Sequence, residues 1–419
     1  MTFGFRILLI AALLVIGLGM PVASTAPSPG ASEQLAMVAL PSNAARVVRA
    51  MQTPEDMLLD ALTALRAGDT ERALEHVDNL VEQKPTFRLA HLVRGDILAS
   101  IGGRMPNIVT EDAGARKDIE RLMAEARQRV AGTSFEPGER VPAPLLQLAD
   151  HHRHAIYIDT LKSRLYVFAN NEGDPKLVGD YYISIGKNGS RKRRKGDKRT
   201  PLGVYVVTER LPGESLPDKY GPVAFPVDYP NAWDRRHQRT GSGIWLHGVA
   251  SRSYSRPPQD SDGCVALINE ELQQLSPLME PGKTPVVIGE GAEWVEYGEL
   301  LTRRAEAARI IEQWRYDWES GDVEKYLSHY DDEFVGSKMS IDAWRDYKRR
   351  VNKNKTNIAV ELNDISIFGY PDEDDLMVVT FKQHYESNNF NGTANKRQYW
   401  RRGSDNRWRI VNEDLANRT

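Results

Sequence analysis

Ile244-Trp245-Leu246-His247-Gly248 precedes Ser261-Asp262-Gly263-Cys264-Val265-Ala266-Leu267 in the middle of a 419-residue chain, and these two stretches decide how its fold is interpreted. The single cysteine of the sequence follows His247 by seventeen positions. A thiol is mostly protonated at neutral pH, and a positioned imidazole can accept its proton and stabilise the thiolate as an ion pair. Gly263 permits a tight turn whose N–H groups can face a tetrahedral intermediate. The residues therefore predict a cysteine-dependent acyl-transfer site.

The composition is that of a globular protein, with 41% apolar and 27% charged residues, and the length suggests about three domains. The 55 Lys and Arg residues against 58 Asp and Glu give a net charge of −3, which provides no global case for binding nucleic acid. One cysteine excludes an intramolecular disulfide and a multi-cysteine zinc site. His151, His152 and His154 lack an acidic or cysteine partner in register, so we expect no metal and no cofactor.

The N-terminus has the pattern of an export signal. Arg6 precedes an apolar run, Ile7 to Leu18, which is shorter than the ~20 residues that span a bilayer, and Ser24-Thr25-Ala26 fits a cleavage site. We expect a signal peptide over residues 1–26, a flexible linker over 27–50 and a periplasmic protein. A retained anchor is the alternative, whereas a lipoprotein anchor is excluded because no cysteine follows the apolar run.

Residues 51–148 have a helical pattern. Thr53 is a candidate N-cap with Pro54 at the first helical position, and the helix runs to Arg66. A second stretch, 71–83, ends before Lys84-Pro85, and a further helix is predicted over 111–130. The layout resembles a tetratricopeptide repeat, but fewer than the roughly three repeats of a stable solenoid are visible. A degenerate repeat and a plain helical hairpin both remain open, and docking of a protein partner is a hypothesis.

Short β-branched and aromatic runs dominate residues 152–290, which predicts a strand-rich domain with one helix over 269–279. The predicted strands are Ala155–Ile158, Arg164–Phe168, Asp180–Ile185, Gly203–Val207 and Pro285–Ile288.

Residues 298–419 begin with a helical spacing over 300–319, two shorter helices over 322–329 and 340–351, and then four alternating strands. This order is similar to the α+β NTF2-like fold, whose sheets commonly form dimer surfaces, so a homodimer is a hypothesis and the oligomeric state stays open. The aromatic residues of this part are interpreted as core rather than as a ligand pocket: Trp314, Trp318, Trp400 and Trp408.

The middle region resembles the catalytic domain of the L,D-transpeptidases, also called the YkuD domain. The resemblance rests on the His-Gly and Ser-x-Gly-Cys motifs, on Ile185-Gly186-Lys187-Asn188-Gly189 and on Thr200-Pro201-x-Gly203. It implies a β-rich catalytic domain with Cys264 as nucleophile and His247 as base, the imidazole being oriented by a backbone carbonyl at Gly248. It also implies an oxyanion hole at the N–H groups of Gly263 and Cys264, on a loop supported by Ser261 and Asp262.

Two positions depart from the family pattern. The arginine that usually follows the cysteine by two residues is Ala266, and the threonine that often follows His-Gly is Val249. A short aliphatic side chain cannot replace a bidentate guanidinium. Substrate binding is therefore expected to differ, with Trp245, Ala266, Asp234 and His237 as candidates and a surface role equally open for Asp234 and His237.

The layout resembles a branch of L,D-carboxypeptidases that trim peptidoglycan tetrapeptides and influence cell shape. We expect Cys264 to attack the carbonyl at the L-centre of the diamino acid and to release D-Ala. An L,D-transpeptidase that forms 3-3 cross-links or attaches lipoproteins is the first alternative, and a non-catalytic cell-wall scaffold is the second. Seven basic residues among positions 191–199 are interpreted as a solvated loop that attracts an anionic wall polymer.

Overall fold

The computed structural model describes residues 52–102, 113–133, 138–336 and 339–416, so the predicted signal peptide, 1–26, and the predicted linker, 27–50, lie outside the described residues. Within the described ranges, no helix combines the length and apolarity needed to cross a membrane. The chain divides into two compact units between Val130 and Ala131.

The first unit is helical, as the sequence predicts. Its helices are α1 (Pro54–Arg66), α2 (Thr70–Gln83), α3 (Arg88–Ile101) and α4 (Ala113–Thr133), of which the last extends past the unit boundary. Thr53 caps α1 as expected, because its hydroxyl accepts the Asp56 N–H at 3.1 Å and the Asp56 carboxylate accepts the Thr53 N–H at 3.0 Å. The tetratricopeptide resemblance stays a prediction.

The second unit carries the remaining elements. The strands before the last long helix are β1 (Val141–Pro142), β2 (Leu145–Gln147), β3 (His154–Asp159), β4 (Arg164–Asn171), β5 (Asp174–Tyr182), β6 (Ile185–Gly186), β7 (Gly203–Val206), β8 (Leu211–Pro212), β9 (Val223–Pro226), β10 (Trp245–His247), β11 (Gln259–Ser261), β12 (Val265–Ala266), β13 (Pro285–Gly289) and β14 (Trp294–Val295). The helices among them are α5 (Ala232–Arg236) and α6 (Asn269–Leu275). The predicted strand 180–185 is interrupted after Tyr182, and the predicted helix 269–279 ends as a 3₁₀ turn, Ser276–Leu278.

The first half of this unit is built on two main sheets. A five-stranded sheet has the order β5-β4-β3-β13-β7, and a four-stranded sheet has the order β12-β10-β9-β8. Ile156 and Ile158 of β3 pack in one core with Leu246 and Val265 of the smaller sheet. The alternate β3 residues, among them Tyr157, belong to a second core. Both faces of β3 are thus covered, which explains its nearly continuous apolar sequence.

The C-terminal half has mixed α and β structure, as the sequence predicts. Its elements are α7 (Tyr297–Glu319), α8 (Val323–Leu327), β15 (Tyr330–Gly336), β16 (Met339–Ser340), α9 (Ile341–Asn352), β17 (Ala359–Tyr370), β18 (Glu373–Ser387), β19 (Phe390–Arg402) and β20 (Trp408–Leu415). The four predicted strands are present, whereas β15 and β16 were not predicted. Trp314, Trp318 and Trp400 are buried as expected, but Trp408 is only half-buried.

The two halves share strands and core. β2, which precedes the catalytic sheets in sequence, pairs with β17 at the edge of the seven-stranded C-terminal sheet, whose order is β16-β15-β20-β19-β18-β17-β2. The Trp233 ring of α5 stacks on Tyr399 with ring centroids 5.2 Å apart. The carboxylate of Asp228 accepts from the Arg397 guanidinium at 2.8 Å, and both side chains are nearly buried. The C-terminal half is therefore packed directly against the half that carries Cys264.

Candidate active site

The pairing of two short strands brings His247 and Cys264 to one place. β10 and β12 run parallel, with Leu246 opposite Val265 and His247 opposite Ala266. Cys264 comes directly before β12, at the end of a bend that starts at Asp262. Since His247 is paired with Ala266, Cys264 enters the strand pair two residues before the partner of His247. The seventeen-residue separation is thus closed by one strand pair.

The His247 ring is buried and has a defined orientation. Its Nδ1–H donates to the Gly248 carbonyl at 2.6 Å, so Nε2 is left as the basic nitrogen. The Tyr220 ring meets the imidazole edge-on, with centroids 5.0 Å apart. Burial lowers the pKa of His247 to about 4, although the bond to Gly248 opposes this shift. The imidazole is therefore neutral at neutral pH and able to accept a proton.

The Cys264 residue is partly exposed. Its Sγ donates to the Gly243 carbonyl at 3.4 Å. Burial raises the pKa of the thiol, while a hydrogen bond from the Trp245 backbone lowers it. Together with the shift of His247, this favours a neutral thiol and a neutral imidazole at rest, and not the ion pair that the sequence suggested.

Hydrogen bonds hold the loop before Cys264. The buried Ser261 hydroxyl accepts the Gly263 N–H at 3.0 Å and donates to the Cys264 carbonyl at 2.6 Å. The buried Thr200 hydroxyl donates to the Gly263 carbonyl and accepts the Gly186 N–H, both at 3.0 Å. Gly263 has φ +125°, and a Cβ there would lie 2.8 Å from the Arg199 carbonyl oxygen. Ser261 and Thr200 thus fix a conformation that only glycine adopts without strain.

The oxyanion candidates differ in availability. The Gly263 N–H is already used by Ser261, whereas the Cys264 N–H has no partner among residues 52–102, 113–133, 138–336 and 339–416. The Cys264 N–H is consequently the donor that is ready to bind an oxyanion.

Asn269, at the start of α6, fixes the segment after His247. Its side chain accepts the Val249 N–H at 2.8 Å and donates to the Val249 carbonyl at 3.0 Å. The Gly248 N–H donates to the Tyr220 carbonyl at 2.9 Å, and a Cβ on Gly248 would collide with the Asn269 side chain. The Gly248 carbonyl that orients the imidazole is therefore itself held on both sides.

Tyr220 and Lys219 were missed by the sequence analysis. The Tyr220 ring also contacts Trp245, with centroids 4.9 Å apart, and the Lys219 ammonium lies 4.8 Å from the centre of the Tyr220 ring. Trp245, a predicted substrate-binding residue, is partly exposed beside them. Tyr220 and Trp245 form an aromatic wall next to His247. Because Tyr220 lies 27 residues before His247 in the chain, no local motif predicts this contact.

Arg256 was missed as well. Its guanidinium is half-buried and donates to the Lys219 carbonyl at 3.1 Å. Its charge lowers the pKa of both Cys264 and His247. Burial lowers the pKa of Arg256 itself. No ion pair with a carboxylate is formed by Arg256 within the described part of the chain.

The other predicted site residues fall into two groups. Ala266 is buried beside His247, and Asp262 is exposed, with one oxygen 3.4 Å from the Lys187 ammonium. Asp234 lies in a different cluster: it is fully buried, caps α5, pairs with Arg239 at 3.1 Å and accepts from Tyr205. His237 donates to the Trp233 carbonyl at 2.9 Å. The structure thus gives Asp234 and His237 structural contacts and does not bring them to Cys264.

The basic run 191–199 is only partly solvated. Arg191 pairs with Asp372 and Glu290, and the buried Lys192 pairs with Asp197 at 2.7 Å. Burial alone would raise the pKa of Asp197, but hydrogen bonds from Lys192 and three backbone N–H groups lower it to about 2. The remaining exposed cations of the run are Arg193, Arg194, Lys195, Lys198 and Arg199.

No cluster of three or more His, Cys, Asp or Glu side chains arranged to hold a metal ion occurs among the residues that the structure describes. His152, one of the histidines considered in the sequence, is buried and bonded through Nδ1 to the Lys283 carbonyl.

Comparison with known proteins gives two family matches. Residues 153–288 match the L,D-transpeptidase catalytic domain (YkuD), and residues 306–414 match the Cds6 C-terminal NTF2-like domain. YafK of Escherichia coli strain K12, named provisionally as an L,D-transpeptidase, is 27% identical over 123 residues. That alignment spans 29% of this chain and 45% of YafK, so the chain matches less than half the length of this curated relative.

Two solved structures resemble most of the chain. Bd1075 of Bdellovibrio bacteriovorus is 31% identical with a TM-score of 0.59, and the alignment covers 67% of this chain and 99% of Bd1075. Pgp2 of Campylobacter jejuni, described as a helical cell shape determining protein, is 24% identical with a TM-score of 0.55 over 66% of this chain and 96% of Pgp2. The likeness to Pgp2 shows a shared fold.

Proposed function

The chain belongs to the L,D-transpeptidase (YkuD) family, and on that premise we propose that it is an L,D-carboxypeptidase that trims peptidoglycan tetrapeptides to tripeptides. The observation that carries the proposal is the pairing of β10 with β12, since it supports a reactive pair of the Cys264 thiol and the His247 imidazole, whose Nε2 is unengaged in the described structure. A cysteine and a base in this arrangement perform acyl transfer.

The first half of the reaction forms a thioester. Nε2 of His247 takes the thiol proton while Sγ of Cys264 bonds to the carbonyl carbon at the L-centre of the diamino acid. The Cys264 N–H stabilises the oxyanion. When the intermediate collapses, the C–N bond breaks, and the imidazolium returns its proton to the departing amine of D-Ala.

The second half regenerates the thiol. Nε2 of His247 takes a proton from water, whose oxygen bonds to the thioester carbon. The C–S bond then breaks and the thiolate recovers the proton from the imidazolium. An amine acceptor in place of water would make the same site a transpeptidase, so the first half is common to both activities.

Two features favour water as acceptor. Ala266 lacks the guanidinium that transpeptidases of the family usually carry at this position, and the chain has an NTF2-like C-terminal half, as in the cell-shape branch. We also propose export to the periplasm through residues 1–26. A protein partner at the N-terminal helices and a homodimer through the NTF2-like part remain proposals of the same kind.

The test is incubation of the mature protein with disaccharide tetrapeptide in H₂¹⁸O, followed by mass spectrometry. We expect tripeptide with one ¹⁸O in its new carboxyl group, together with free D-Ala. Cys264→Ala and His247→Gln should abolish both products, whereas Ser215→Ala, which alters an exposed hydroxyl outside the site, should not.

Cross-linked dimers or exchange of D-amino acids without ¹⁸O-labelled tripeptide would instead establish a transpeptidase. Binding of tetrapeptide with no product from any variant would favour the scaffold.

A further inference from the structure

Arg256 is a cation with an unusual position in the site. The side chain is half-buried, and a buried charge is costly unless an opposite charge or strong hydrogen bonds compensate it. Its hydrogen-bond partner is the neutral Lys219 carbonyl, and the described residues provide no carboxylate within ion-pair distance. Asp262, whose charge raises the pKa of Arg256, is exposed and lies beside Lys187. The guanidinium therefore retains donors for an external anion.

The backbone around Arg256 is held in place. The Tyr182 hydroxyl donates to the Arg256 carbonyl at 2.9 Å, the Ser184 hydroxyl donates to the Pro257 carbonyl at 2.6 Å, and the Ile185 N–H donates to the Pro258 carbonyl at 2.8 Å. A side chain on such a fixed segment loses less freedom when it binds a ligand.

One of these hydrogen-bond partners, Ser184, also places the Arg256 segment next to Ala266, the position at which the family usually carries arginine. Ser184 exchanges two backbone hydrogen bonds with Ala266, at 2.8 and 2.9 Å, while its hydroxyl binds the Arg256–Pro258 segment. The guanidinium reaches Lys219, whose neighbour Tyr220 packs on His247. The positive group of this site thus lies on the segment before β11, and not on β12, which carries alanine at the family position.

We propose that Arg256, assisted by Lys219, binds the terminal carboxylate of the substrate and so restricts the site to peptides with a free C-terminus. This inference rests on the proposed function and names the specificity of the same site. In a peptide that ends in D-Ala, the carboxylate is three bonds from the carbonyl carbon that Cys264 attacks. A guanidinium that donates to the Lys219 carbonyl, next to the Tyr220 ring that packs on His247, is suitably placed for it.

A chain that continues beyond D-Ala has an amide in place of this carboxylate. Binding it would leave the guanidinium without an anion, and sites built for a charged partner strongly reject analogues that lack it. Arg256 would therefore make the enzyme an exopeptidase.

The experiment measures binding to Cys264→Ala, which cannot turn over, by calorimetry with two probes: the tetrapeptide with a free C-terminal carboxylate and its C-terminal amide. We expect the carboxylate to bind about 10- to 100-fold more tightly. Adding Arg256→Gln should remove this preference by weakening carboxylate binding while leaving amide binding within about twofold. Arg256→Lys should retain part of it. Arg252→Gln, which alters an exposed arginine of the same loop, is the matched control and should change neither affinity.

Equal affinity of Cys264→Ala for both probes, or an equal loss for both on Arg256→Gln, would overturn the inference. Turnover of the protein with Cys264 intact is measured separately. Carboxylate preference without ¹⁸O-labelled tripeptide would support the carboxylate site and contradict the proposed hydrolysis. Hydrolysis without carboxylate preference would support the proposed hydrolysis and contradict the carboxylate site.

Discussion

At the residue scale, burial shifts the two reacting groups in opposite directions. It raises the pKa of the Cys264 thiol and lowers the pKa of His247 to about 4. Each shift disfavours the charged form of its group, as expected for groups removed from water. The resting pair is thus neutral, and proton transfer accompanies attack on the substrate instead of preceding it.

This pair predicts an unusually acidic lower limit of activity. Above a pH of about 4 His247 is unprotonated and can act as a base, so kcat/KM should persist well below pH 6.5, where an ordinary histidine begins to protonate, and fall towards pH 4. The measurement is the pH profile of D-Ala release, with folding followed by tryptophan fluorescence at each pH.

The free energy of unfolding also depends on pH between about 6.5 and 4. An unfolded His247 takes up a proton below about pH 6.5 and the folded one only near 4, so the free energy of unfolding falls as the pH drops through this window. His152 is buried outside the site, and its pKa is also lowered to about 4. It therefore contributes to the loss of stability at acid pH in the same way. His152→Gln is therefore the control: it should alter acid stability but not the acid limb of kcat/KM. An acid limb near pH 6.5 in the folded enzyme would contradict the structure.

Sequence patterns identified those candidate site residues that belong to a motif. His247, Gly248, Gly263 and Cys264 were chosen from sequence, and the structure brings these residues together. Tyr220 and Arg256 could not be found in this way, because the packing of Tyr220 on His247 and the bond from Arg256 to Lys219 are loop contacts that have no local sequence pattern.

At the element scale, the loop into β12 depends on a left-handed glycine. Gly263→Ala should cost kcat/KM at least about 100-fold and destabilise the protein by about 1–3 kcal/mol, because it adds a clash with the Arg199 carbonyl to the strain of a positive φ. The measurements are kcat/KM and the urea unfolding midpoint.

Gly196→Ala is the matched control, since Gly196 has φ +80° but open space around its Cβ position. It should cost only about 1 kcal/mol of strain and leave kcat/KM within about threefold. Equal losses in the two variants would show that the contact with Arg199 does not matter.

Helices and strands were predictable from the sequence where the apolar residues kept one spacing throughout the element. The helix over Tyr297–Glu319 and the strands of the C-terminal sheet followed from spacing. β15 was missed because Asp331, Asp332 and Glu333 interrupt its alternation, and its pairing with β20 decides its conformation. β2 was missed because the three residues Leu145–Gln147 are too few to show a periodicity, and tertiary pairing with β17 makes them a strand.

At the scale of the whole molecule, the catalytic and NTF2-like parts are joined by buried polar contacts as well as by a common core. The Asp228 carboxylate accepts from Arg397 and from the Val206 N–H, both at 2.8 Å. Removing one member of a buried ion pair leaves the other charge uncompensated.

Asp228→Asn should therefore destabilise the protein by about 3–5 kcal/mol and leave one cooperative unfolding transition of the second unit, since the two parts depend on one another. Urea unfolding followed by tryptophan fluorescence measures both. Asp414→Asn, in an exposed pair with Arg235, is the control and should cost less than about 1 kcal/mol. Two separate transitions for the NTF2-like and catalytic parts would contradict this prediction.

The pairing of β2 with β17 also has a consequence for synthesis. The two strands lie more than two hundred residues apart, with Leu145 opposite Phe368, so a chain that emerges from its N-terminus presents β2 long before its partner exists. Until then the backbone of β2 has an open edge, which can recruit other chains. A gene fragment that stops after the catalytic match would keep that edge permanently exposed. The segment to clone as one piece is consequently residues 138–416, and neither family match alone.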